Sequence, residues 1–201
     1  VGYAPKTGDL GVAVQSKFFA VGSVVPWAKA GVGAVATQSY ANVDYGPESL
    51  ERLAKRQSAR ETVDALTKAD ANRRLRQLGI VDAKGRSASF TGSGCKHWAG
   101  HIEKPNFCAQ GNILTGEEVV RSMVSGYEQA RKKTGTGLCD WLALALMDGQ
   151  KAGGDSRGRQ SAALLVVRKN GGYAGGNDRF IDLRVDDHKT PIVELLRLLS
   201  I

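Results

Sequence analysis

The sequence predicts an α+β fold, a four-layer α-β-β-α sandwich of two antiparallel sheets with helices outside each. Three observations lead there. Successive strand-like segments are joined by hairpin-type turns, which pair neighbours antiparallel and argue against a doubly wound parallel sheet. Segments such as GVAV at 11–14 and GVGAVAT at 31–37 are apolar on both faces, so their sheet must be covered on both sides. Helical periodicity comes in blocks, giving strands, two helices, strands, two helices, strands and a last helix.

Element by element, Val1 to Ala4 reads as the end of a strand, Pro5 to Asp9 as a turn and Leu10 to Ser16 as the partner strand. A second pair follows at Val21 to Trp27 and Gly31 to Thr37. Pro47 suits a first helical turn, with Leu50, Leu53 and Ala54 at helical spacing after it. Ser58 and Glu61 have the spacing of a capping box, which opens a second helix through Val63 and Leu66. Strands return at Gln77 to Asp82 and Arg86 to Thr91 around Ala83-Lys84-Gly85, and again at Phe107 to Leu114. Thr115 and Glu118 repeat the capping-box spacing ahead of Val119, Val120, Met123, Val124 and Tyr127. Leu138 to Met147 is apolar nearly all round, as a deeply buried helix is. Strands at Gln160 to Arg168 and Arg179 to Val185 flank a glycine-rich turn. Thr190 then caps a final helix with Pro191 at its first position.

A length of 201 residues suits one domain over 1–201, and 42% hydrophobic content is enough to pack it. The longest smooth apolar run, Ser161 to Val167, is of strand length and far short of the ~20 residues that span a bilayer. Three cysteines and the lack of a basic-then-apolar leader point to a reducing, cytoplasmic setting. The formal charge of +8 makes nucleic acid a partner worth weighing. The basic residues are scattered, however, with no dense run and no finger spacing, so specific nucleic-acid binding is not expected.

Five segments carry a resemblance: LGVAVQSKFFAVGSVVPWAKAGVGAVATQ (10–38), QLGIVDAKGR (77–86), AQGNILTGEEVV (109–120), GGDSRGRQSAALLVVR (153–168) and NDRFIDLRVDDH (177–188). In number and order they resemble an uncharacterised bacterial family placed in the N-terminal-nucleophile (Ntn) hydrolase superfamily, over essentially the whole chain. The resemblance implies the same sandwich, an amidohydrolase acting on a small amide without a cofactor, and self-association into a homo-oligomer. It also implies a Thr, Ser or Cys that becomes the mature first residue and attacks an amide carbonyl. Its own α-amino group, with an unperturbed pKa of about 8, would act as the base. Val1 has no such side chain and stands within an apparent strand, so the nucleophile is expected just ahead of it. The alternative is a non-catalytic binding or assembly module that keeps the fold.

The resemblance also suggests a site. Lys29 matches the position of a lysine that assists the nucleophile in proteasome-type relatives, or else is an exposed strand-end lysine. Thr37, Gln38 and Ser39 stand where the superfamily places oxyanion donors, or are plain strand-end residues. Asn112 in AQGN could complete an oxyanion hole or serve a turn. In GGDSRGRQS (153–161), Arg157 and Arg159 offer planar forks for an anion and Asp155 could hold either one, with Ser161 closing the stretch. The competing reading is a salt-bridged lead into the next strand. Asp182, Arg184 and Asp186 would share one strand face as an ion-pair ladder. Cys95, His97, His101 and Cys108 are zinc-type ligands, but their spacing fits no standard finger, and no metal is expected.

Overall fold

A computed structural model describes residues 1–201. Ten strands fall into a six-stranded sheet, in the order β10-β9-β2-β1-β8-β7, and a four-stranded sheet, β3-β4-β5-β6. In chain order they are β1 (Gly2–Ala4), β2 (Asp9–Ser16), β3 (Pro26–Lys29), β4 (Gly33–Ser39), β5 (Arg76–Asp82), β6 (Ser87–Thr91), β7 (Trp98–Lys104), β8 (Phe107–Leu114), β9 (Ser161–Val167) and β10 (Arg179–Val185). Each odd-numbered strand pairs antiparallel with the one that follows it, so five hairpins generate both sheets. Five helices cover them: α1 (Tyr45–Ala54), α2 (Ala59–Ala69), α3 (Glu117–Ala130), α4 (Leu138–Lys151) and α5 (Pro191–Leu199). None is long and apolar enough to cross a membrane.

The predicted two-faced burial is what the layers require. One apolar cluster, with Leu10, Val12, Ala34 and Ala36, fills the space between the sheets. A second, with Leu78, Ile80, Val63 and Leu66, lies between the small sheet and α1 and α2. A third, with Leu164, Tyr127, Leu138 and Leu195, lies between the large sheet and α3 to α5. Leu78 and Ile80 on β5 thus face the helices while Gly79 faces the other sheet, as period-2 alternation demands.

Local signals hold where a side chain performs the capping. The Ser58–Glu61 capping box forms at α2: the Ser58 Oγ accepts from the Glu61 N–H at 3.2 Å, and Glu61 accepts from the Ser58 N–H at 2.7 Å. Two other caps are corrected. Thr115 packs against Gly153, so Gly116 takes the N-cap of α3 and no box forms. Thr190 makes no capping bond at α5, its N–H and hydroxyl both lying within reach of His188 Nδ1. The expected strand Val21 to Trp27 is also broken. Ala20 is left-handed (φ 51°) and a 3₁₀ turn occupies Val21–Ser23, leaving only Pro26–Lys29 extended. Finally, β7 was not predicted at all. As an edge strand it has no buried residue, and WAGHIEK therefore lacks the alternation that marks a half-buried strand.

Candidate functional site

The large sheet is interrupted at its centre. At Gly2, β1 pairs with Gly11 of β2 on one side and Phe107 of β8 on the other, so β2 and β8 stand two strand spacings apart, ~9.6 Å. Both flanking strands continue past that level, β2 to Ser16 and β8 to Leu114. A cavity of about 380 Å³ lies between them. Its walls come from both faces of the sheet, with Val14, Val21 and Gln38 on the inter-sheet side and Val119, Met123 and Leu146 on the helix side.

The ladder is poised to continue into this slot. The Val1 nitrogen donates to the Cys108 carbonyl at 3.0 Å and the Cys108 N–H returns a bond to the Val1 carbonyl at 3.0 Å. Alternation from that pair aims the main-chain groups of Gln110 and Asn112 on β8, and of Ala13 and Gln15 on β2, into the slot.

The loop 153–158 closes the far end. Asp155 bridges to Leu114 at the end of β8, and its carboxylate accepts from the Lys17 N–H just past β2 at 3.1 Å. The ladder position after Ser16 is therefore already taken, and the slot is four residues deep. Gly153 (φ 123°) and Gly154 (φ 63°) let the chain turn there, at angles that L side chains rarely adopt. Arg157 grips Asp155 through Nε at 3.0 Å and Nη2 at 2.7 Å. Burial pushes the Asp155 carboxyl up, but hydrogen bonds from the Arg157 side chain and from the main-chain N–H groups of Arg157 and Lys17 outweigh it. The net effect holds the carboxyl below the usual carboxylate range. Arg157 lines the cavity and is largely exposed, with Nη1 left outside the ion pair.

A buried glutamine organises the polar wall. Gln77 of β5 is fully buried, and its Nε2 donates to the Gly111 carbonyl at 2.8 Å and the Gly100 carbonyl at 3.1 Å, with the Thr91 hydroxyl at 2.9 Å. Main-chain carbonyls only accept, so the Gln77 amide can face only one way. Its oxygen then receives Gln38 Nε2 at 2.9 Å and Asn112 Nδ2 at 3.0 Å. Each of those cavity-lining amides keeps one N–H and its carbonyl oxygen for a bound molecule. Gln110 lies alongside, its Nε2 reaching the Ala36 carbonyl at 3.3 Å. It fits because residue 79 is glycine, where a Cβ would fall 1.8 Å from the Gln110 oxygen.

Of the residues singled out in the sequence, Gln38, Ser39, Asn112, Asp155 and Arg157 meet around this cavity. Four others do not. Thr37 is buried and its hydroxyl donates to the Asn42 carbonyl at 2.9 Å. Lys29 ends β3 and lines a separate depression with Asp178 and Asp182. Arg159 is exposed and lies outside the cavity lining. Ser161 is buried, its hydroxyl accepting from the Val21 N–H at 3.1 Å and donating to the Phe18 carbonyl, which pins the 17–21 loop to β9. Of the expected ion-pair ladder only the Asp182–Arg184 pair forms, at 3.3 Å, with Arg179 joining Asp182 at 3.2 Å, because β10 ends at Val185 and Asp186 lies beyond it without an ion pair. All three cysteines are free thiols, and no group of three or more His, Cys, Asp or Glu side chains is placed to hold a metal.

Gln77 and Gln110 were missed. The available signal was a long polar amide inside each of two otherwise apolar strands, QLGIV and FCAQG, where a buried polar group needs a reason.

The profile of a family of unknown function (DUF1028) matches residues 1–195. The crystal structure of a protein of that family from Silicibacter pomeroyi superposes on this chain with a TM-score of 0.86 at 28% identity, covering 99% of this chain and 82% of that one. No curated protein matches.

Proposed function

The chain belongs to this family of unknown function, and from its site we propose an N-terminal-nucleophile amidohydrolase acting on a small amide. The observation that carries the reading is the four-residue slot continuing β1 and ending among Gln38, Asn112, Asp155 and Arg157. Carrying the β1 register backwards, the residue four ahead of Val1 falls opposite Ser16 of β2 and Asn112 of β8. Its parity is that of Val1, whose side chain packs in the inter-sheet cluster, so it points into the polar chamber.

A Thr, Ser or Cys there would have its α-amino group at the closed end of the slot. That amine takes the nucleophile's proton as the oxygen or sulfur attacks the amide carbonyl. The remaining N–H groups of Gln38 and Asn112 support the tetrahedral oxyanion, a contribution of ~3 kcal/mol for a well-aimed donor. The α-ammonium returns the proton to the departing amine, and water then hydrolyses the acyl-enzyme. Val21, Val24 and Val25 line the chamber and suit a small aliphatic group, while the Nη1 of Arg157, an exposed residue of the same lining, suits an anionic substituent. Lys29, which lies outside this cavity, and Thr37, whose hydroxyl is bonded to the Asn42 carbonyl, have no part in this scheme.

The same slot would also serve a non-catalytic module, and the first residue of the mature protein separates the two. Intact mass and N-terminal sequencing of protein made from its full gene should find Thr, Ser or Cys four residues ahead of Val1 as the mature terminus. Its change to Ala should abolish turnover in an amide screen. An inert mature first residue removes the mechanism and leaves binding.

A further inference from the structure

For the cavity taken above as the functional site, we propose that Gln77, Thr91 and His101 form a proton-responsive relay that sets the hydrogen-bonding state of Gln38 and Asn112 from a histidine at the protein surface. His101 lies on β7, the outer edge of the large sheet, and Thr91 ends β6, the outer edge of the small one. The two edges are laced together. Glu103 accepts from the Ser89 N–H at 2.6 Å, and the Ser87 hydroxyl donates to the Lys104 carbonyl at 2.8 Å. Across this seam the Thr91 Oγ1 lies 2.8 Å from His101 Nδ1.

The direction of each bond follows from its neighbour. Gln77 must present its NH₂ to the carbonyls of Gly100 and Gly111, and with two hydrogens among three acceptors it shares one of them with the Thr91 oxygen at 2.9 Å. In the relay the Thr91 hydroxyl hydrogen donates onward to an unprotonated Nδ1 of His101, 2.8 Å away. Neutral His101 thereby carries its proton on Nε2, which faces Glu103 Oε1 at 4.0 Å. All donors in the chain point the same way, from cavity amide to Gln77, Thr91 and ring, an arrangement in which each bond polarises the next.

Protonating Nδ1 reverses the last link. The ring then donates to the Thr91 oxygen, which already accepts from Gln77, and the Thr91 hydrogen loses its place in the chain. The polarisation passing through Gln77 to Gln38 and Asn112 falls. The charged groups facing the ring are Glu103, on the same strand, and Arg60 from α2, which is itself paired with Glu103 at 2.7 Å. Burial lowers the His101 pKa, Glu103 raises it and Arg60 lowers it, for a net value below 6.5. The ring is still 32% exposed, so protons reach it without entering the cavity.

The test follows the side-chain NH₂ resonances of Gln38, Gln77 and Asn112 in isotope-labelled protein while the His101 ring is titrated. In the parent protein those resonances should move with the midpoint of the ring. In Thr91→Val, which keeps the shape and removes the hydroxyl, the ring should still titrate while the cavity amides stay still. Thr91→Ser, which restores a hydroxyl, should recover the coupling. Amides that hold still in the parent while His101 titrates, or that follow it equally in Thr91→Val, would overturn the relay. Because the coupling is read from amide protons and not from turnover, its failure would leave the amidohydrolase reading standing, and the converse holds.

Discussion

The space between the two sheets has two unlike ends, with β4 running through both. At one end β2 and β4 contribute Leu10, Val12, Ala34 and Ala36, all essentially inaccessible. At the other end β4, β5 and β8 contribute Gln38, Gln77, Gln110 and Asn112 around a cavity. The first end stabilises by removing apolar surface from water, at about 25 cal/mol per Å². The second buries amides, which each cost free energy unless every hydrogen bond is made. A molecule selected for stability alone would extend the valine end. The polar end is explained by something other than folding, and its one fully buried member, Gln77, is the residue whose hydrogen bonds are most completely satisfied.

The contrast can be broken from the apolar end first. Leu10→Ala should cost about 3 to 4 kcal/mol in urea unfolding, since Leu10 is fully buried and its neighbours cannot collapse around the space. Gln77→Leu should cost about 2 to 3 kcal/mol despite adding apolar bulk, because the Gly100 and Gly111 carbonyls lose their donor. A variant as stable as the parent would show that the polar end is no burden.

Asp155→Asn should cost about 2 kcal/mol at neutral pH, through loss of a charge-assisted clamp on Arg157 and Lys17. The folded carboxyl lies below its ordinary range, so its contribution is present above about pH 4 and disappears as pH falls further. Unfolding measured down the acid limb should therefore show parent and variant converging. Two variants differing by a constant offset through that limb would deny the carboxylate this role. Arg159→Ala, at an exposed position outside the cavity, should change stability by less than about 0.5 kcal/mol. Asn112→Ala should also be mild in stability yet lower amide turnover about a hundredfold under the proposed mechanism.

What the sequence determined was the fold class and most of its elements. Hairpin turns sit between adjacent segments, so antiparallel pairing at β1–β2, β4–β3, β5–β6 and β9–β10 is a local property that a short window can show. Two-faced apolar strands demand cover, which forces the four layers. Polar residues at strand ends and the glycines of 153–158 marked half of the site for the same local reason. Only the tertiary structure could decide which of them meet. Gln38, Asn112 and Asp155 lie on β4, on β8 and in the loop before β9, and they converge because hairpins distant in sequence pair β1 with β8 and β2 with β9 in one sheet, and the other sheet, carrying β4, packs against it. The same packing sent Thr37 and Ser161 to other partners and left Lys29 outside the cavity, gave the unpatterned edge strand β7 its place, and turned one inconspicuous glutamine into the centre of the polar wall. Hydrophobic period is a property of neighbours along the chain. A functional site is a property of neighbours in space.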